Sequence, residues 1–226
     1  MGEARQFLRN SYWILRHGKS IPNEKGLIVS SMENGTLEEF GLALDGIQQA
    51  KLAGQVFDKE LKARNISLET VRICYSPFSR TSHTAKIVAD VLGIPFASIQ
   101  CKAMTELRER FFGPKFELLS HDKYTEIWAL DEKDPFTSPE GGESVEGVVS
   151  RLGIALAALE AEYEGCSILL VSHGDPLQIL QAVLGAAKEN SLEGDVSSRI
   201  KQVTNRSVLF QHRKFALVTA ELRRIE

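Results

Sequence analysis

Tyr12-Trp13-Ile14-Leu15-Arg16-His17-Gly18 carries the strongest fold signal in the chain. Four large apolar residues in unbroken succession have the character of a strand buried on both faces, the form strands take in a parallel sheet covered by helices. The run then breaks into a guanidinium, an imidazole and a glycine, which puts two chemically able side chains at the end of that strand. A second stretch has the same form: the apolar run of residues 167–171 leads into Ser172-His173-Gly174. Ligands of open α/β sheets bind beyond the carboxyl ends of the strands. Two strand ends that each deliver a histidine, with arginines at hand, point to a pocket for a phosphoryl group.

Outward from these runs, strand-like and helix-like segments alternate. Residues 12–16 read as the first strand and residues 45–65 as a helix, with Ile47, Ala50, Leu52, Ala53, Val56, Phe57 and Leu61 at mostly helical spacing. Residues 71–75 read as the next strand. Ser76-Pro77 then looks like an N-cap followed by proline in the first helical position, opening a helix that runs to Leu92 and stops at Gly93. A short strand is expected at residues 95–99, an irregular cover over the sheet edge at 106–140, and an amphipathic helix at 144–164. After the strand at 167–171, a second cap-and-proline start at Asp175-Pro176 opens a helix to Leu184. Residues 208–211 and 215–220 read as a closing hairpin around His212-Arg213-Lys214. The fold class is therefore α/β, three-layer, with a mostly parallel central sheet flanked by helices. With no repeat or linker, residues 1–226 read as a single domain.

Composition bounds the function. At 226 residues, 43% apolar and 25% charged, the chain matches an ordinary soluble globule able to bury a sizeable core. A formal net charge of −3 argues against broad binding to nucleic acid or an anionic membrane, so any basic surface is local. No stretch approaches the ~20 apolar residues of a membrane span. Residues 1–6 lack the apolar core of a secretion signal, and Gln6 stands where a myristoylation pattern wants Ser or Thr. Cys74, Cys101 and Cys166 are odd in number and far apart, which fits reduced cysteines in a cytoplasmic protein better than disulfides or a zinc site.

Three segments, Arg16 with His17, residues 76–80 ending in Arg80, and His173 with Gly174, would project two arginines and two histidines into one crevice. Burying that much positive potential is costly unless an anion fills it. A tetrahedral phosphate suits guanidinium forks, which match its oxygens in pairs. An imidazole with an ordinary pKa of about 6.5 titrates near neutrality. Arg16 and Arg80 would hold His17 neutral, with a lone pair free to attack phosphorus. The resulting phosphohistidine is then hydrolysed by water. This scheme calls for no metal or cofactor, and the sequence has no H-E-x-x-H, no clustered Asp pair and no P-loop lysine. The leaving alkoxide needs a proton. Two arginines should depress a nearby carboxyl pKa and a bound phosphate dianion should raise it again, so an acid competent only with substrate in place is expected. Glu106, Glu109, Glu117, Glu140 and Glu143 are all open to that role on these grounds.

The chain resembles the histidine phosphatase superfamily, in the branch containing cofactor-dependent phosphoglycerate mutase and many small-molecule phosphatases. The resemblance rests on L-R-H-G-K-S-I-P-N at residues 15–23, S-P-F-S-R-T at 76–81, L-R-E-R-F-F-G at 107–113, P-E-G-G-E-S at 139–144 and V-S-H-G at 171–174, in the family's order. It implies that His17 is the phosphoryl acceptor and Glu109 the proton donor. It further implies that Arg16, Arg80 and His173 bind the phosphoryl group, with Asn23 and the Gly174 N–H in support. The implied fold is a mostly parallel sheet between helices, and the implied partner a small phosphorylated metabolite.

Two departures separate the chain from the mutases it resembles. Their long insertion before the G-E-S motif is replaced by residues 110–142, and Pro22 stands where they usually carry Trp; both favour hydrolysis over transfer. The W-E-G of many family phosphatases is replaced by Pro114-Lys115-Phe116-Glu117, which bears on substrate choice. The alternatives are a mutase-type phosphotransferase and a non-catalytic member that binds a phosphorylated ligand. Elsewhere Glu143 and Ser144 read as capping residues, Gly141-Gly142 as a turn, and Lys19 and Lys25 as solvated. His83, His121, His212, Trp13 and Trp128 read as surface or packing residues. Specificity is expected from Phe111, Phe112 and the rest of the 110–139 cover.

Overall fold

The strand at the opening motif forms as β1 (Ser11–Arg16), followed in the chain by β2 (Val71–Tyr75), β3 (Cys101–Ala103), β4 (Ser167–Ser172) and β5 (Leu222–Ile225). The computed structural model describes residues 7–190 and 194–225, so the N-terminal hexapeptide of the secretion and myristoylation readings lies outside the described residues. The sheet order is β3-β2-β4-β1-β5; the first four strands are parallel and β5 pairs antiparallel with β1. The nine helices formed among the described residues are α1 (Ile21–Lys25), α2 (Met32–Gly35), α3 (Leu44–Ala63), α4 (Ser79–Leu92), α5 (Tyr124–Lys133), α6 (Val145–Glu162), α7 (Gly174–Glu189), α8 (Val196–Val203) and α9 (Arg206–Leu209).

Strand pleating explains the continuous apolar runs. Successive side chains alternate between faces, and in β1 Tyr12 and Ile14 join a core with α6, α7 and α8, while Trp13 and Leu15 join a second core with α3 and α4. In β4, Ile168 and Leu170 face the first core, Leu169 and Val171 the second. Both faces are covered, so both sets of positions must be apolar. The one polar atom this puts in the second core, the Trp13 indole N–H, donates to Glu60 at 2.7 Å.

Two glycines bring the loop after β1 onto the start of α3. A Cβ on Gly18 would collide with the Gly46 carbonyl oxygen, and a Cβ on Gly46 with that of Lys19. The glycine of R-H-G is there for close backbone approach. Its N–H donates to Thr84 Oγ1 at 3.1 Å, tying the loop to α4 as well.

Three local expectations are corrected. Residues 95–99 form no strand: the chain turns, with Ser98 N–H donating to the Pro95 carbonyl at 2.9 Å, and the edge strand comes later as β3. The hairpin at 208–220 is absent. Asn205 caps α9, a 3-10 turn spans His212–Phe215, and the edge strand is β5, whose Leu-Arg-Arg-Ile sequence is less apolar because an edge strand needs less burial. Both cap-and-proline starts are displaced. Phe78 and His173 are the N-cap residues, and Ser76 Oγ is engaged by His173 Nε2 at 2.8 Å instead of capping α4. Ser144 does cap α6, accepting from Gly147 N–H at 2.9 Å. The 106–140 cover contains α5 and packs Phe112, Phe116 and Ile127 against Ile28 in a small core of its own. None of the described helices is long and apolar enough to cross a membrane.

Gly46→Ala is expected to lower unfolding stability by about 1–3 kcal/mol, since backbone oxygens cannot rotate away from the new methyl group. Urea denaturation of the two proteins measures this. A stability equal to wild type would show that the close approach is not a constraint.

Candidate active site

In-register pairing of β1 with β4, down to Arg16 opposite Ser172, brings the two histidines together. His17 N–H donates to the Ser172 carbonyl at 3.0 Å, and the His17 and His173 rings meet edge to face with centroids 5.2 Å apart. β2 lies on the other side of β4, so Ser76 and the start of α4 reach the same place, and Ser76 N–H donates to the Val171 carbonyl at 3.0 Å. Arg80, in the first turn of α4, is bonded to His17 and near enough to His173 to lower its pKa. Its Nε donates to His17 Nε2 at 3.2 Å, its Nη2 donates to the Val29 carbonyl at 3.0 Å, and its guanidinium lies over Phe78.

Hydrogen bonding sets the state of each imidazole. His17 Nδ1 lies 2.7 Å from the Gly18 carbonyl, which can only accept, so Nδ1 carries the proton and Nε2 the lone pair. Burial lowers the His17 pKa well below its ordinary value, and Arg80 and Arg16 lower it further. His173 is likewise held neutral by burial first and Arg80 second. With Ser76 Oγ at its Nε2, His173 Nδ1 is left toward the site. His173 Nδ1, Arg80 Nη1 and Arg16 Nε are all buried without a hydrogen-bond partner. Buried polar groups are normally paired, so three orphans on side chains that neighbour His17 leave hydrogen-bonding capacity there that an anion could take up.

Glu109 joins this group from the loop after a 3-10 turn (Thr105–Leu107), which Ser172 Oγ holds by donating to the Leu107 carbonyl at 2.7 Å. Glu109 Oε2 lies 3.8 Å from His173 Nδ1 and 3.9 Å from Arg80 Nη2. Of the five glutamates left open by composition, it is the one that reaches the histidines. Its electrostatics differ from expectation. The arginines do lower its pKa, but burial outweighs them and Asp175 adds repulsion, so the carboxyl is pushed up to about 7 with no ligand present. Asp175, adjacent to the second His-Gly and expected to cap a helix, lies instead inside the first turn of α7 and faces this group. It accepts from Gln178 at 2.6 Å and lies 3.4 Å from Arg110. Arg110 is fully buried and forms a two-pronged pair with Asp131 of α5, both contacts at 2.7 Å.

A cleft of about 620 Å³ adjoins this group; Arg16, Asn23, Glu109, Gly174 and Asp175 are among its lining residues, whereas His17, Arg80 and His173 are buried and do not line it. Asn23 Oδ1 is taken by the Ser20 N–H and hydroxyl, at 3.1 and 2.9 Å, leaving its amide N–H group for the cleft. Gly174 is the first residue of α7, whose N-terminal positive end favours an anion. Phe112 lines the cleft, whereas Phe111 does not.

His121 and Trp128, read as surface or packing residues, line the cleft with Tyr124, as do Arg213 and Lys214. The spacing of Tyr124, Ile127, Trp128 and Asp131 along a helix was the available signal. Lys19 is solvated as expected, paired with Asp45 at 3.1 Å and Glu24 at 3.4 Å. Glu143 does not cap α6; its carboxylate binds Arg151 at 2.8 Å and Arg108 at 3.3 Å. No group of three or more His, Cys, Asp or Glu among the described residues is arranged to hold a metal ion.

The orphaned Arg80 donor supports a direct test. Arg80→Met is expected to weaken inorganic phosphate binding at least about tenfold, from the loss of charge-assisted hydrogen bonds. Titration followed by the phosphate-dependent rise in Tm reads this, and an unchanged rise would remove Arg80 from the anion site.

The sequence profile described as "Histidine phosphatase superfamily (branch 1)" matches residues 12–221. Among curated proteins no match is found. Among solved structures, a mycobacterial glucosyl-3-phosphoglycerate phosphatase is similar in its native form (TM-score 0.63, 21% identity, 95% of this chain and 88% of that one). The same protein in complex with VO3 is also similar (TM-score 0.65, 21% identity, 95% and 91%). A phosphoserine phosphatase from Entamoeba histolytica in complex with 3-phosphoglyceric acid superposes with TM-score 0.64 at 19% identity, over 95% of this chain and 89% of that one.

Proposed function

The chain belongs to the histidine phosphatase superfamily, branch 1, as a phosphoric monoester hydrolase, and from that premise we propose that it cleaves small phosphorylated metabolites through a phosphohistidine on His17. One observation carries this reading: a buried histidine held neutral has as its neighbours three side chains, Arg16 next in the chain, Arg80 bonded to its Nε2 and His173 packed on its ring, each with a buried nitrogen that has no partner. Arg16, Arg80 and His173 bind the phosphoryl oxygens, supported by the Asn23 amide and the Gly174 N–H. The Arg80 Nε contact to His17 passes to a phosphoryl oxygen when substrate enters, freeing the lone pair.

His17 Nε2 then forms a bond to phosphorus as the bond from phosphorus to the alcohol oxygen breaks. The departing oxygen takes the proton of Glu109. In the second half, water attacks phosphorus, its proton passes to the Glu109 carboxylate, and the N–P bond breaks to release phosphate and neutral His17. Each half leaves Glu109 ready for the next, which is why a carboxyl pushed up to about 7 suits it.

His17→Ala should abolish turnover and the acid-labile, base-stable radiolabelled phosphoenzyme while leaving the far-UV spectrum and Tm near wild type. Turnover at the wild-type rate would reject the assignment. Because the acid form of Glu109 disappears as pH rises through about 7, kcat/KM for an alkyl phosphate should fall above that pH. His17, held well below its ordinary pKa, should give no acid limb near 6.5. Glu109→Gln should remove the alkaline limb and slow alkyl phosphates by about 10²–10⁴-fold, with a smaller loss on p-nitrophenyl phosphate, whose leaving group needs no proton. Equal losses on both substrates would transfer the acid role to another residue.

A further inference from the structure

The cleft is far larger than a phosphoryl group requires; its about 620 Å³ lies within the ~300–1,000 Å³ of sites for whole metabolites. Away from Glu109 and Asp175, which flank the histidines, the ionisable side chains lining it are basic or phenolic: Arg213, Lys214, His121 and Tyr124. We propose that Arg213 and Lys214 form a second anion subsite, so that the substrate is a compact phosphomonoester whose alcohol portion carries another anionic oxygen group. The inference rests on the phosphatase reading above and names the substrate class of that same site.

The two cations sit on the 3-10 turn His212–Phe215, which is firmly held. His212 is buried with Nδ1 2.6 Å from the Leu209 carbonyl. The Phe215 carbonyl accepts from Gln181 at 3.2 Å and from Arg223 at 3.1 Å, and the Ala216 carbonyl from Arg223 at 2.7 Å. The next carbonyl, Leu217, accepts from Arg16 Nη1 at 2.5 Å. The inner arginine and the outer cations thus share one anchored segment, which fixes the span between a phosphoryl group and a second anion.

The orientation of Arg213 also fits. Its guanidinium lies 4.1 Å over the Trp128 ring, which directs its N–H groups sideways. One of them meets Glu132 at 3.2 Å, an exposed pair of the kind that contributes little, and the others remain available. Lys214 Nζ touches only Gln211 Oε1, at 3.3 Å, and has no carboxylate partner among the described residues. The aromatic wall argues against a stacked base, because Trp128 is stacked on Tyr124, which packs in turn against Phe112 and His121.

The test uses alkyl phosphates of graded length ending in a carboxylate, their uncharged carboxamides, and the matching alkanediol bisphosphates. Wild-type kcat/KM should favour at least one anionic ending over the equally long carboxamide by about tenfold or more, less so at high salt. The better of the carboxylate and phosphate endings identifies the anion. Arg213→Gln with Lys214→Gln should collapse that ratio toward one through KM, with Tm unchanged. Equal rates for charged and uncharged endings, or a ratio that survives the double substitution, would overturn the subsite while His17-dependent hydrolysis stands. Absence of any phosphoenzyme would instead strike the reading beneath it.

Discussion

Parallel, residue-for-residue pairing of β1 with β4 is the constraint on which the site depends. It aligns the two strand ends so that the imidazoles following them are neighbours, and it does so with backbone hydrogen bonds inside a core sealed on both faces. A slip of one residue would turn Trp13 and Leu15 onto the opposite core and carry His17 out of reach of His173. The hydrophobic cores therefore do more than stabilise the fold. They fix the register that assembles the chemistry.

That register holds an imbalance of charge out of water. Arg80 and His173 are buried, yet the carboxylate nearest them, Glu109, keeps 3.8–3.9 Å away and is biased toward its neutral acid form. A close ion pair would have silenced both partners. Instead, burial and the neighbouring Asp175 push the Glu109 carboxyl up to about 7, so that acid and carboxylate forms coexist near neutrality, while Arg80 Nη1 and Arg16 Nε keep no partner. The Arg110–Asp131 pair belongs to the same design: it locks the loop carrying Glu109 to the cover helix α5, while the Arg110 backbone N–H donates to Glu109 Oε1 at 2.9 Å.

The wall of the cleft and the histidine pair come from different parts of the fold. The aromatic wall from α5 and the basic turn after α9 reach the cleft from opposite parts of the chain, and neither contributes to the histidine pair. Variation there would leave the sheet register undisturbed, and the fold itself is shared with solved structures at about 20% identity.

Read alone, the chain already specifies the buried strands, the α/β layering, and the order in which Arg16, His17, Arg80, Glu109 and His173 occur. These are local signals: an apolar run names a doubly covered strand, and a short motif stands at its end. Where local signals conflict with packing, the reading failed. Val208 and Phe215 suggested strands, but an Asn205 cap and a 3-10 turn prevailed, and the true edge strand, Leu-Arg-Arg-Ile, is polar because its burial is slight. Only packing brings Glu109, the glutamate that the family motif names, to the histidines and raises its pKa before any ligand arrives. It alone brought Trp128 and Arg213 into one cleft, because burial and long-range approach are properties of the packed chain.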